Sequence, residues 1–175
     1  MYIRKATMND AYDIAKVHVD SWRTTYKGIL PDDFLEQLSY EKRNKLWEKN
    51  LDEQNVYVAE DAEGKIVGFS TGGIKKTSNY DKYAGELYAI YILEEFQGKG
   101  VGKLLMQPIV QDMVASDINS MIVLVLEDNP SKNFYENLGG RKIETLEVTI
   151  AGVVVNELVY GWKDLNQSFL DRGNE

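Results

Sequence analysis

Glu94-Glu95-Phe96-Gln97-Gly98-Lys99-Gly100-Val101-Gly102-Lys103 is a glycine-rich turn between an apolar strand pattern and an amphipathic helix pattern. Three glycines at alternate positions let main-chain N–H groups approach a ligand with no Cβ in the way. The first turn of the following helix adds unpaired N–H donors and the positive end of its dipole. The spacing therefore predicts an anion site, with a ligand-free strand-to-helix turn as the bland alternative. Two phosphate motifs fail on it. A dinucleotide fingerprint G-x-G-x-x-G would put glycine or alanine where Lys103 stands. A Walker A loop would put glycine at Gln97 and a magnesium-binding Ser/Thr at Leu104.

Outward from the turn, the patterns give a fold. Glu86 to Leu93 is nearly all apolar, as expected of a central strand covered on both faces. On the other side Val101, Leu104, Leu105, Ile109 and Met113 recur at helical spacing. Pro108 falls inside that helix and costs about 3 kcal/mol unless a kink accommodates it, so a bend is expected there. Met121 to Leu126 is a second buried strand, followed by Asn129-Pro130 at a helix start and Gly139-Gly140 at its end. Arg141 to Ile150 and Val153 to Trp162 read as a hairpin turning at Ala151-Gly152. Before the turn come a strand at Tyr2 to Lys5, a helix capped by Thr7 with Asp10, and a short helix opening at Pro31-Asp32-Asp33. A third helix from Tyr40 to Asn50 and a hairpin from Val56 to Phe69 complete the set. The order specifies a single α/β domain over 1–165, with a mixed, mostly antiparallel sheet, helices on both faces, and a polar, frayed tail at 166–175.

Composition narrows the chemistry. The 175 residues suit one domain, and no apolar run approaches the roughly 20 residues of a membrane span. No signal-like segment opens the chain, so a cytoplasmic location and no membrane partner are expected. With no cysteine and one histidine, thiolate chemistry and a histidine-rich metal centre are excluded, and no metal is expected. A formal charge of −8 disfavours nucleic acid and is compatible with a cationic acceptor such as an amine.

Q-x-x-G-x-G after a strand, at Gln97, Gly100 and Gly102, resembles the acetyl-CoA pyrophosphate loop of the GNAT superfamily of N-acetyltransferases. Asn129-Pro130-Ser131-Lys132-Asn133-Phe134-Tyr135-Glu136-Asn137-Leu138-Gly139-Gly140 resembles the superfamily's N-x-x-x-x-F-Y-x-x-L-G segment, with Gly-Gly replacing the usual Gly-Phe ending. The element order is similar to the GNAT fold over nearly the whole chain. The resemblance implies that Ile90, Tyr91 and Ile92 face the pantetheine arm through their backbone. It likewise implies that Gln97, Gly98, Lys99, Gly100, Val101, Gly102 and Lys103 hold the pyrophosphate and that Asn129 bonds to pantetheine. Asn129 is equally suited to a plain helix cap.

The same resemblance points Tyr135 at the coenzyme sulfur, where a phenol would stabilise and protonate the departing thiolate. Phe134 is then the expected core member of the pair. Glu86 lies eleven residues before Gln97, which resembles the catalytic glutamate of histone-acetyltransferase-type members, and would take the amine proton directly or through water. Tyr88 shares its strand face and would order that water. A solvated strand-end carboxylate is the competing role for Glu86. His18 is a weaker base candidate, since a lone helical histidine is usually packed or exposed. Trp22 and Tyr26 sit where the family builds its acceptor wall and suit a cationic or aliphatic amine, or equally a closed aromatic core. The expected activity is direct acetyl transfer from acetyl-CoA to a primary amine of a small molecule or peptide, with homodimerisation left open. A non-catalytic acyl-CoA-binding module and a magnesium-dependent phosphotransferase are the rivals.

Overall fold

Apolar and alternating runs become strands here, and residues repeating every three to four positions become helices. In the computed structural model, which describes residues 1–170, the strands are β1 (Tyr2–Lys5), β2 (Val56–Glu60), β3 (Ile66–Ile74), β4 (Gly85–Ile92), β5 (Met121–Leu126), β6 (Arg141–Ile150) and β7 (Val153–Trp162). The helices are α1 (Ala11–Thr25), α2 (Asp32–Glu36), α3 (Tyr40–Glu53), α4 (Val101–Ala115) and α5 (Lys132–Asn137). The seven strands are ordered β1-β2-β3-β4-β5-β7-β6. β4 meets β5 in parallel at Gly85↔Met121 and Glu86↔Ile122, whereas β1–β2, β2–β3, β5–β7 and β6–β7 are antiparallel. This is the mixed, mostly antiparallel sheet the sequence predicts.

The chain divides into two compact units. One joins Met1–Gly72 to Tyr88–Ile109, and the other joins Gly73–Leu87 to Val110–Glu175. The core of the first is built from Ile14, Ala15 and Val17 of α1, Trp47 of α3, Val58 and Phe69 of β2 and β3, and Val101 and Leu105 at the start of α4. Asp10 fixes the entry to α1, accepting from the Thr7 N–H at 2.7 Å and from both terminal nitrogens of Arg4 at 2.8 Å. The Arg4 guanidinium accordingly holds the Asp10 carboxyl below its ordinary range. α3 runs three residues past its predicted end. Leu51-Asp52-Glu53 contains no glycine or proline to stop a helix, and Leu51 packs on the core.

In the second unit every residue of β5 except Leu124 is buried. β6 pairs with β7 in the predicted register around Ala151 and Gly152, which take φ of 51° and 77° as a two-residue primed turn requires. β6 is last in the sheet order and carries an exposed first half. α5 is shorter than predicted at its start, because Asn129 and Pro130 form a turn and Ser131 takes the cap position.

Three expectations change. Leu104 was placed in the packed stripe of α4 yet is 41% exposed, whereas Leu105, Met106, Ile109, Val110 and Met113 are buried. Successive residues lie about 100° apart on a helix, so Leu104 and Leu105 cannot share a face. α4 is one helix on both sides of Pro108, the place of the expected bend. β4 is fourth of seven strands, but Tyr88 to Ile92 stay half-buried where a strand covered on both faces was expected. At the C-terminus Leu165 is fully buried and donates its N–H to the Asn119 carbonyl at 2.9 Å. Asn166–Leu170 form one π-helical turn, and the rest of the expected tail lies outside the described residues. Among the described residues no helix is long and apolar enough to cross a membrane.

Candidate active site

The glycine turn is built from its backbone upward. Glu94–Phe96 make a short 3-10 turn, and the chain then reverses through Gly98 at φ 68° and Gly100 at φ 80°. A Cβ at either position would meet nothing within 4 Å. Glycine is required there by the left-handed backbone and not by lack of space. Gly102 is helical, in the first turn of α4. Among the described residues, no acceptor inside the protein takes the backbone N–H of Gly98, Lys99, Gly100, Val101, Gly102 or Lys103; the first internal bond is Leu104 N–H to the Gly100 carbonyl at 3.2 Å. Six consecutive donors and the positive end of a 15-residue helix thus share one turn. The Gln97 side chain does not join them. Its amide nitrogen donates to the Ile92 carbonyl at 2.9 Å and ties the turn to the end of β4.

The first unit also gathers an aromatic cluster. His18 of α1 stacks on Tyr91 of β4 at 5.4 Å and meets Trp22, Trp47 and Phe69 edge-on at 5.7 to 5.8 Å. Trp47 donates its indole N–H to His18 Nδ1 at 3.0 Å. Burial, helped by the nearby Arg43 charge, pushes the His18 imidazole down to a pKa of about 3. The ring is therefore neutral, its Nδ1 lone pair is used, and its proton sits on Nε2. Nothing on His18 remains to accept a proton, which removes it as a base. Trp22 packs on Tyr26 at 4.8 Å, and Tyr26 and Tyr91 share a hydroxyl–hydroxyl contact of 3.3 Å. Arg43 lies over the Trp22 ring at 5.7 Å. The Trp22 indole nitrogen is buried with no hydrogen-bond partner among the described residues.

The second unit holds the other predicted residues. Glu86 accepts three hydrogen bonds, from the N–H of Lys76 and of Thr77 at 2.8 Å and from the Thr77 hydroxyl at 2.7 Å. A carboxylate offers about four lone-pair sites, so Glu86 braces the segment after β3 and keeps one site on Oε1. Asn129 is buried, and its Oδ1 accepts from the Ser131 N–H at 2.9 Å, the cap-like role. Its side-chain nitrogen has no partner among the described residues.

Tyr135, not Phe134, is the core member of the aromatic pair. It is 5% exposed and packs on Phe134, Tyr160 and Trp162 at 5.4 to 6.4 Å, while Phe134 is half-buried. Trp162 also explains the Gly-Gly ending. A Cβ on Gly140 would come within 2.7 Å of the Trp162 ring and 2.9 Å of the Tyr135 carbonyl. Trp162 in turn donates its N–H to the Leu138 carbonyl at 3.0 Å. The indole occupies the volume a larger residue at position 140 would need.

The structure thus brings Trp22, Tyr26 and Tyr91 into one cluster and leaves the amides of the glycine turn free. Tyr88, Ile90 and Ile92 lie half-buried on β4, and Glu86, Asn129 and Tyr135 belong to the other unit. Sequence reasoning missed Arg43 and Trp47. Their signal was available as an i, i+4 pair on α3, which places both on the helix face turned toward α1.

Similarity to known proteins supplies the family. Residues 75–148 match the FR47-like protein family. The uncharacterized N-acetyltransferase YuaI of Bacillus subtilis (strain 168) is 42% identical over 164 residues, covering 94% of each chain. An N-acetyltransferase from Staphylococcus aureus Mu50 has the same fold at 19% identity and TM-score 0.72, covering 94% of this chain and 98% of its own. The yncA protein of Salmonella typhimurium, solved with its cofactor acetyl-CoA, matches at 20% identity and TM-score 0.72 over 94% of both chains. A chain 42% identical to an N-acetyltransferase over nearly its full length, with this fold, belongs to the GNAT superfamily of acetyl-CoA-dependent N-acetyltransferases.

Proposed function

We propose that the protein transfers the acetyl group of acetyl-CoA directly to a primary amine, with no acyl-enzyme. The observation that carries this reading is the run of six backbone amides from Gly98 to Lys103 that are unpaired among the described residues. It fits a pyrophosphate, needs no metal and offers no magnesium-binding hydroxyl at Leu104. The half-buried Ile90, Tyr91 and Ile92 would take the pantetheine arm along β4, and the free side-chain nitrogen of Asn129 would donate to it.

Glu86 would accept the amine proton through its remaining Oε1 lone pair, directly or through a water ordered by Tyr88. The neutral amine nitrogen then attacks the thioester carbonyl carbon, an N–C bond forms and the C–S bond breaks. A main-chain N–H at Ile90 to Ile92 would stabilise the oxyanion, and the Tyr135 phenol would give its proton to the departing thiolate. Trp22 and Tyr26 would form the acceptor wall. Absence of cysteine supports a direct route, because no thioester can form on the protein.

An acetylation screen over amine classes, detecting released CoA thiol, tests the reading. Tyr135→Phe should lower kcat by roughly 100-fold or more with little change in acetyl-CoA affinity. Glu86→Gln should lower the rate most at the acid end of the pH profile. Turnover with no amine, alongside tight acetyl-CoA binding, would instead mark a binding module.

A further inference from the structure

Resting on that reading, we infer that the acceptor is a small amine carrying a carboxylate or similar oxyanion, held by Arg43 and the indole N–H of Trp22. Two donors in the aromatic cluster lack acceptors among the described residues. The Trp22 nitrogen is buried and unpartnered among the described residues, a state that native interiors seldom tolerate unless a ligand or water completes it. Arg43 lies against the same ring at 5.7 Å, and no carboxylate within the described residues pairs with it. Two acids of α1 and α3 accept from hydroxyls and form no ion pair with Arg43 among the described residues. Asp20 accepts from Tyr40 at 2.6 Å and Glu41 accepts from Ser39 at 2.9 Å.

In a chain with 28 acidic and 20 basic residues, an unpaired guanidinium is a choice with a consequence. It opposes a polyamine or a lysine-rich peptide by like-charge repulsion and favours a ligand with one anionic group. On its other side Arg43, with Gln37, Leu38, Ser39 and the exposed Lys42, lines a hollow of about 240 Å³ that does not include Trp22 or Tyr26. Lys42 likewise has no carboxylate partner among the described residues. The aromatic faces of Trp22 and Tyr26 would then take the aliphatic part of the acceptor, leaving its amine for the acetyl group.

The test is a panel of α-amino acids, each paired with the amine formed by its decarboxylation, with spermidine as the cationic control. Wild type should show a KM at least tenfold lower for the carboxylate member of an acetylated pair, and a weaker reaction still with spermidine. Arg43→Gln should abolish that ratio, Arg43→Lys should keep part of it, and Trp22→Phe, which retains the ring and deletes only the N–H, should lower it several-fold. Trp22→Phe removes a donor that has no partner, so its unliganded melting temperature should not fall from hydrogen-bond loss. Equal KM values within pairs in the wild type, or a ratio that survives both Arg43→Gln and Trp22→Phe, overturns the inference while the acetyltransferase reading stands. Acetylation of no panel member overturns the inference, and the acetyltransferase reading falls only if the wider screen over amine classes also shows no turnover.

Discussion

His18 gives the sharpest prediction, because it is the one histidine in the chain and its surroundings allow only the neutral form. Its imidazole titrates near 6.5 when unfolded and near 3 in the folded protein, chiefly through burial. The folded value is the lower one, so between these limits the unfolded chain binds a proton that the folded chain refuses. Folding is unaffected by this group above about pH 6.5, weakens as pH falls below it, and stops weakening near pH 3. At 1.36 kcal/mol per pKa unit, the full gap corresponds to roughly 5 kcal/mol, of which about 2 kcal/mol is already lost at pH 5. Urea unfolding of wild type and His18→Asn at pH 7 and pH 5 isolates the term. Asparagine keeps an acceptor near Nδ1 for Trp47 and cannot titrate, while all other groups are shared. Wild type should lose about 2 kcal/mol more than His18→Asn across that interval. A carbon-13 titration of the His18 ring should also report the neutral Nε2–H tautomer down to about pH 4. Equal losses in the two proteins, or a ring that titrates near 6.5, would refute the buried-neutral assignment and restore His18 as a base candidate.

Two further outcomes follow from the glycines. Gly98→Ala and Gly100→Ala each force a side chain into a left-handed backbone with open space around it, so each should cost about 1–2 kcal/mol in urea unfolding and weaken acetyl-CoA binding measured by calorimetry. Gly140→Val drives a side chain into the Trp162 ring and should cost about 1–3 kcal/mol or more, with loss of near-ultraviolet circular dichroism from that indole; Gly28→Ala, in open space at φ 78°, would show only the backbone penalty.

The elements were legible wherever local chemistry decides them. The Ala151-Gly152 turn set the register of two ten-residue strands from two residues, and the Asn129 to Gly140 segment announced a helix start and stop that the structure keeps within three residues. What stayed hidden depended on partners distant in sequence. Nothing local says that Trp47 would donate to His18 across 29 positions and fix its tautomer. Nor does the segment say that Trp162, rather than a residue at 140, would fill the space beside Tyr135. Glu86 read as a base from its place before the loop, yet two of its three hydrogen bonds come from backbone N–H groups that no side-chain pattern displays. The unpaired Arg43 was invisible for the same reason, since absence of a partner is a property of the folded chain.

The central claim is that the amides of Gly98 to Lys103 hold the cosubstrate by its pyrophosphate, and paired calorimetric titrations test it most directly. Wild type and Gly100→Val would be titrated with acetyl-CoA, with acetyl-pantetheine lacking the pyrophosphate, and with ATP plus magnesium. The account predicts saturable acetyl-CoA binding, a large loss on removing the pyrophosphate, and a Gly100→Val defect seen with acetyl-CoA but not with acetyl-pantetheine. Tight ATP binding with none for acetyl-CoA, or a Gly100→Val defect of equal size with both thioesters, would contradict it.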